Sequence, residues 1–158
     1  MKLSPLQLGY YRVVELSVAS RMEIDRDQPV SAVICSEMKA SLELHHDVED
    51  DSAATTSWTT SLRLEFTPPE GDNSPYEFRV GLFGFFRCAK NLPPGLDAEK
   101  MVGINGTSVL YGIARELIQS LTEKALWGSL TLPTMSFTDF REMLPNAGSV
   151  EEAGSDIE

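Results

Sequence analysis

Cysteine and histidine are scarce in this chain of 158 residues, which has two of each. Cys35 and Cys88 form no CxxC pair, so there is neither a dithiol redox motif nor half of a zinc site; two isolated thiols suit a reducing compartment better than a disulfide scaffold. His45 and His46 are sequence neighbours, which leaves little material for a triad assembled from separate segments, and no Ser, Cys or Thr stands in a nucleophile motif. Adjacent residues on a strand point to opposite faces, so His45-His46 with Asp47, Glu49 and Asp50 reads as a solvated strand end rather than a metal site. Basic residues are also few. Thirteen Lys and Arg stand against 24 Asp and Glu, a net charge of −11, and this balance argues against a nucleic-acid surface or an anionic membrane as partner. No run approaches the roughly 18 apolar residues of a membrane-spanning helix. Gly9, Arg12 and Glu15 break the start too early for a secretory signal, so a soluble cytoplasmic protein is expected and the Asn105-Gly-Thr107 sequon carries no meaning.

What is present is a globular composition, 42% hydrophobic and 23% charged, long enough for one domain with a packed core. The first half alternates with period two, the mark of strands with one buried face. In residues 10–24 the apolar set is Val14, Leu16, Val18, Met22 and Ile24; in residues 31–44 it is Ile34, Met38, Ala40, Leu42 and Leu44. Trp58, Leu62, Leu64 and Phe66 alternate with Ser, Thr, Arg63 and Glu65 in a third window, whose Thr-rich, aromatic content suits a pleated surface. A fourth run, residues 76–88, begins with Tyr76, Phe78 and Val80 and then becomes apolar almost throughout, as for a strand buried on both faces at its far end. Turn-rich connections around Pro29, Asp47 and Pro68 fit a meander.

A segment with Asn91, Pro93, Pro94, Gly95, Gly103 and Gly106 follows without a clear period. Its Gly103-Ile-Asn-Gly106 stretch lacks the Lys of a P-loop and the spacing of a dinucleotide fold, so a turn is the simpler reading. From Ser108 to Trp127 the period changes to 3.6, with Leu110, Ile113, Ala114, Leu117, Ile118, Leu121 and Ala125 on one stripe, Thr107 or Ser108 as cap and Gly128 as a left-handed terminator. A shorter helix is expected over residues 136–144, capped by Ser136 and carrying Phe137, Phe140, Met143 and Leu144. Residues 146–158 are acidic, with no basic residue, and read as a disordered tail to a single domain of residues 1–145. The fold class is therefore α+β, a four-stranded antiparallel sheet followed by two helices.

No enzyme and no cofactor is expected from these residues. The apolar inventory is more informative: two Trp, seven Phe and six Met serve one sheet and two helices, and helices from one protomer cover only one sheet face. The stripe Leu110, Ile113, Leu117 and Leu121 admits either an intramolecular core or self-association, each side chain contributing about 1.5–3 kcal/mol if buried.

The stretch Ser108-Val-Leu-Tyr-Gly-Ile-Ala-Arg-Glu-Leu-Ile-Gln-Ser-Leu and the following Trp127-Gly-Ser-Leu-Thr-Leu-Pro-Thr-Met-Ser-Phe137 resemble the SecB family of export chaperones. Ala114-Arg115-Glu116, Trp127, Leu130, Leu132 and Phe137 fall in the family's order without a gap, over about thirty-five residues. Glu15-Leu-Ser17, Phe78-x-Val80 and Gly84-Phe-Phe86 are compatible with its first and fourth strands. The resemblance implies a cytoplasmic, ATP-independent holdase, a dimer of dimers (homotetramer) with the long helices packed between dimers. It implies binding of unfolded preproteins in apolar grooves, for which Leu42, Leu44, Leu92, Met101, Trp127, Met135, Phe137, Met143 and Leu144 are the candidates. Met and aromatic side chains suit promiscuous apolar binding.

The chain departs from the family where an acidic sheet surface meets the SecA translocase ATPase. Glu15 matches one acidic position, but the next aligns with Ala19 and the fourth-strand position with Arg79. An alternative within the family is a chaperone dedicated to an antitoxin in a toxin-antitoxin-chaperone module. A more distant alternative, from a different class, is a small-ligand binding module that uses the apolar sheet face.

Overall fold

Period-two alternation is realised as four antiparallel strands: β1 (Leu6–Ser20), β2 (Lys39–His46), β3 (Thr55–Phe66) and β4 (Tyr76–Ala89). The computed structural model describes residues 3–31, 37–47 and 53–144; Cys35, Ile34 and the acidic tail lie outside them. Strand order in the sheet is β1-β4-β3-β2. This corrects the simple meander, because β1 joins β4 rather than β2. The physical reason lies in β4, whose second half is too apolar for an edge and takes an interior position between β1 and β3.

β1 also departs from strict alternation. Its register against β4 shifts between Leu8 and Tyr10 and again between Val13 and Glu15. Each bulge sets two residues of β1 against one of β4: a Cβ at Gly9 would meet the Phe85 ring, and the positions of Val14 and Glu15 both lie over Gly81. One extra residue inverts the parity of everything beyond it. Leu8, Tyr11, Val13, Leu16 and Val18 consequently share the helix-bearing face, opposite Phe86, Gly84, Leu82, Val80 and Phe78. Val14, expected on the buried face, turns to the other side and is 68% exposed. Met22 lies beyond the strand and is exposed, whereas Ile24 is buried.

The core lies between the inner face of β3 and β4 and one long helical run. Leu62, Leu64, Phe66, Phe78, Val80, Leu82 and Phe86 meet Leu110, Tyr111, Ala114 and Ile118 of that run. Helical structure begins earlier than the sequence suggests. A short helix α1 (Ala98–Met101) and a π-helical turn (Val102–Gly106) lead without a break into α2 (Thr107–Thr122), and the start is capped by Asp97, whose carboxylate accepts from the backbone N–H of Lys100 at 2.6 Å. Gly103 and Gly106 read as breakers because glycine disfavours helix. At Gly103 the absence of a side chain has a specific use, since a Cβ there would lie 2.3 Å from the Phe140 ring.

After α2 the chain reverses around Gly128, left-handed at φ 79° as expected, and its carbonyl accepts from the buried Tyr76 hydroxyl at 2.6 Å. It then runs back along α2. The Leu130 N–H donates to the Thr122 hydroxyl at 2.8 Å, the Tyr111 hydroxyl donates to the Pro133 carbonyl, and the Tyr111 and Phe137 rings pack edge to face. This return is extended, with Leu130 and Leu132 buried and Thr131 exposed between them. The second helix is thus replaced by one 3-10 turn, Phe140–Met143; spacing of three between Phe137 and Phe140 serves a 3-10 turn as well as an α-helix.

Cys88 sits on the inner face of β4, fully buried, and burial raises its thiol pKa above the ordinary value. Since the thiolate is the nucleophile, iodoacetamide in excess at neutral pH should modify Cys88 in the native protein only as fast as the sheet opens, and rapidly in denaturant. Peptide-level mass spectrometry checks this, and prompt native labelling would contradict the packing. A folded-state pKa above the unfolded value also means that this contribution to stability is complete below the ordinary thiol range and is lost as pH rises through the raised value.

Candidate functional site

Three surfaces carry the chemistry, and the first is apolar. On the helix-bearing side, β1 extends beyond the cover of α2, leaving Leu8, Tyr11, Val13 and Leu16 more than a third exposed. On α2, Val109, Ile113, Leu117 and Leu121 recur every fourth residue and form a ridge along one flank. Ile113 and Leu117 are half-buried, and Leu121 is 50% exposed. Of the residues assigned to self-association from sequence, Leu110 is instead fully buried against the sheet. The broad stripe divides into an arc that makes the core (Leu110, Tyr111, Ala114, Ile118) and a flanking ridge that remains open.

The second surface is the rim of the core, which includes edge strand β2 and the 3-10 turn packed against it. Leu44, Leu92, Met135 and Met143 are half-buried side chains packed against the rim of the core, and Leu144 is likewise half-buried. Leu42, Met101 and Phe137, named with them from sequence, lie inside the core at 0%, 8% and 2% exposure. Such residues support the rim from beneath rather than form its surface. Trp127 stands apart at the end of α2. Its indole N–H donates to the Arg21 carbonyl at 2.9 Å, and the Arg26 guanidinium lies over its ring at 5.7 Å. Beside it, Ile24, Val30 and Leu126 contribute to an open groove of about 420 Å³. Sequence reasoning missed Val30 and Leu126, which belong to no periodic pattern.

The third surface is the outer sheet face. Glu15 and Arg79, the residues linked to a translocase, both lie here, but neither stands as an isolated charge. Glu15 pairs with Arg63 at 3.7 Å and Arg79 with Glu65 at 3.4 Å. Ala19 lies opposite Glu77. The face mixes both signs rather than presenting an acidic patch. His45 and His46 fall on opposite faces as the strand requires, and His46 packs on the Trp58 ring with centroids 4.5 Å apart. Among the described residues no group of three or more His, Cys, Asp or Glu is placed to hold a metal ion. No described helix is long and apolar enough to cross a membrane.

No protein-family model matches the sequence, and no curated protein does. Solved structures do match. A Streptococcus agalactiae protein of unknown function aligns over 82% of this chain and 97% of its own, at a TM-score of 0.57 and 15% identity. The two chains share a fold. A SecB-like chaperone of Mycobacterium tuberculosis, solved in complex with a peptide from an antitoxin, aligns over 83% of this chain and 91% of its own, at a TM-score of 0.45 and 16% identity. The fold class is α+β, with the four-stranded antiparallel sheet and one long C-terminal helical run described above.

Proposed function

We propose that this protein is an ATP-independent chaperone of SecB type, a cytoplasmic homo-oligomer that holds non-native polypeptide in apolar grooves. The observation that carries this reading is the set of half-buried Leu and Met side chains at the rim of the core, Leu44, Leu92, Met135, Met143 and Leu144, with the 3-10 turn that bears Met143 packed against edge strand β2. Flexible thioethers repack around dissimilar apolar segments, and an edge strand offers backbone hydrogen bonds to an extended chain. The Ala114-Arg115-Glu116 to Phe137 resemblance supports the same reading independently. The open faces of β1 and α2 suit the dimer of dimers that the resemblance implies.

Two client classes fit, unfolded preproteins and an antitoxin. The outer face supports the second, because two positions where the resemblance calls for acidic contacts with SecA carry Ala19 and Arg79, and Glu15 pairs with Arg63. A permanently unfolded model client such as reduced, carboxymethylated α-lactalbumin tests the groove without nucleotide. Leu44→Glu together with Met143→Glu should weaken its binding about tenfold or more, since two charges would face apolar client surface. Equal affinity in a variant of native mass would remove the groove from client binding.

A further inference from the structure

One end of the outer sheet face is unlike the rest. On neighbouring positions of β1 and β4, three aromatic side chains point away from the core: Tyr10, Phe83 and Phe85. Tyr10 stacks on Phe85 with centroids 5.4 Å apart and an interplanar angle of 11°, and Tyr10 is 49% exposed. Arg12 lies over Tyr10 at 5.8 Å and Arg87 over Phe85 at 6.0 Å. The guanidinium groups bracket the aromatic pair. Unlike Arg63 and Arg79, neither has a carboxylate partner among the described residues. In a chain of net charge −11, two exposed Arg held over rings with no carboxylate partner among the described residues stand out.

We infer that this patch is a docking site for an extended acidic peptide that carries an apolar or aromatic residue between two carboxylates. Spacing sets the pattern. The backbone positions of Arg12, opposite Phe83, and of Arg87, four residues further along β4, are about 13 Å apart along the strand, and each guanidinium reaches over one ring of the pair between them. In an extended peptide residues i, i+2 and i+4 share one face, so carboxylates at i and i+4 reach the two guanidinium groups while the side chain at i+2 rests on the Tyr10–Phe85 stack. A single-stranded nucleic acid would also stack on these rings, but a polyanion needs a longer basic track than two Arg. This inference does not depend on the chaperone reading.

Fluorescence anisotropy with a labelled peptide containing Glu-Ala-Phe-Ala-Glu tests it on the full-length protein. Saturable binding is expected, weakened about tenfold or more by Arg12→Glu with Arg87→Glu and equally by replacing both peptide Glu with Gln. Leu44→Glu, in the client groove, should leave this binding unchanged. Both Arg side chains are exposed, and Arg87→Gln alone provides a milder variant if the double change disturbs the fold. Equal affinity of the acidic and neutral peptides, or of wild type and the Arg variants, would overturn the proposal. So would an oligothymidine that displaces the peptide at lower concentration than unlabelled peptide does. Aggregation suppression measured on the same variants separates the two proposals, since loss of peptide binding with protection retained bears on the patch alone.

Discussion

For the proposed dimer of dimers, replacing Leu117 and Leu121 together by Glu should cut the mass of the particle in solution to that of two protomers or one, each protomer being 17.4 kDa. Both side chains belong to the ridge that recurs every fourth residue on α2, the row that packs into the grooves of a neighbouring helix. Neither is fully buried within the protomer, so the change falls on the interface more than on the core. A carboxylate left without a partner in a dry helix contact costs on the order of several kcal/mol, and symmetry repeats the cost at each equivalent site. Sedimentation velocity measures the mass, and circular dichroism verifies that the helix persists. An unchanged mass in a folded variant would remove the ridge from the assembly, and Leu121→Glu alone, on the more exposed residue, gives the same reading with less risk to the core.

Gly103→Ala should destabilise the protein by about 1–3 kcal/mol, although alanine is the better helix former. The added Cβ would lie between 2.3 and 2.6 Å from three atoms of the Phe140 ring. A rigid ring cannot yield by rotating a terminal bond, so the 3-10 turn must move, and with it Met143 and Leu144 beside β2. In a Phe140→Ala background the clash is gone, and there Gly103→Ala should be neutral or stabilising by up to about 1 kcal/mol through helix propensity. Thermal or urea unfolding of the four proteins in this cycle gives the coupling directly. Additive effects would show that the π-helical turn and the C-terminal segment are not in contact.

Most of β2 to β4 is legible in the sequence because one face is buried and one is wet, so alternation specifies register. β1 is less so. Its two bulges, at Gly9-Tyr10 and Val14-Glu15, invert the parity of the stretch between them, which places Val14 outside and Tyr11 and Val13 inside. Strand order escaped the meander reading because the pairing of β1 with β4 is settled by the apolar demand of β4 rather than by a local turn. The aromatic patch was concealed for a related reason. Within the apolar run of β4, Phe83 and Phe85 read as burial on both faces, although they are half-exposed on the outside. The signal was in the flanks, where Arg12 and Arg87 accompany Tyr10.

For the candidate groove, residue type was readable and depth was not. Leu42 and Leu44 are two positions apart on the same face of β2, yet the first is sealed beneath the core and the second lies at its rim. Helical spacing alone could not divide the α2 stripe either, because the arc that meets the sheet and the ridge beside it are equally apolar.

A chaperone of the proposed kind holds unfolded chains without nucleotide. The most direct measurement is light scattering of a chemically unfolded model client diluted into buffer with the purified protein, in the absence of ATP, over a range of molar ratios. Aggregation should be suppressed at stoichiometric amounts, and added ATP should change nothing. Undiminished scattering in the presence of folded, oligomeric protein would contradict a general holdase.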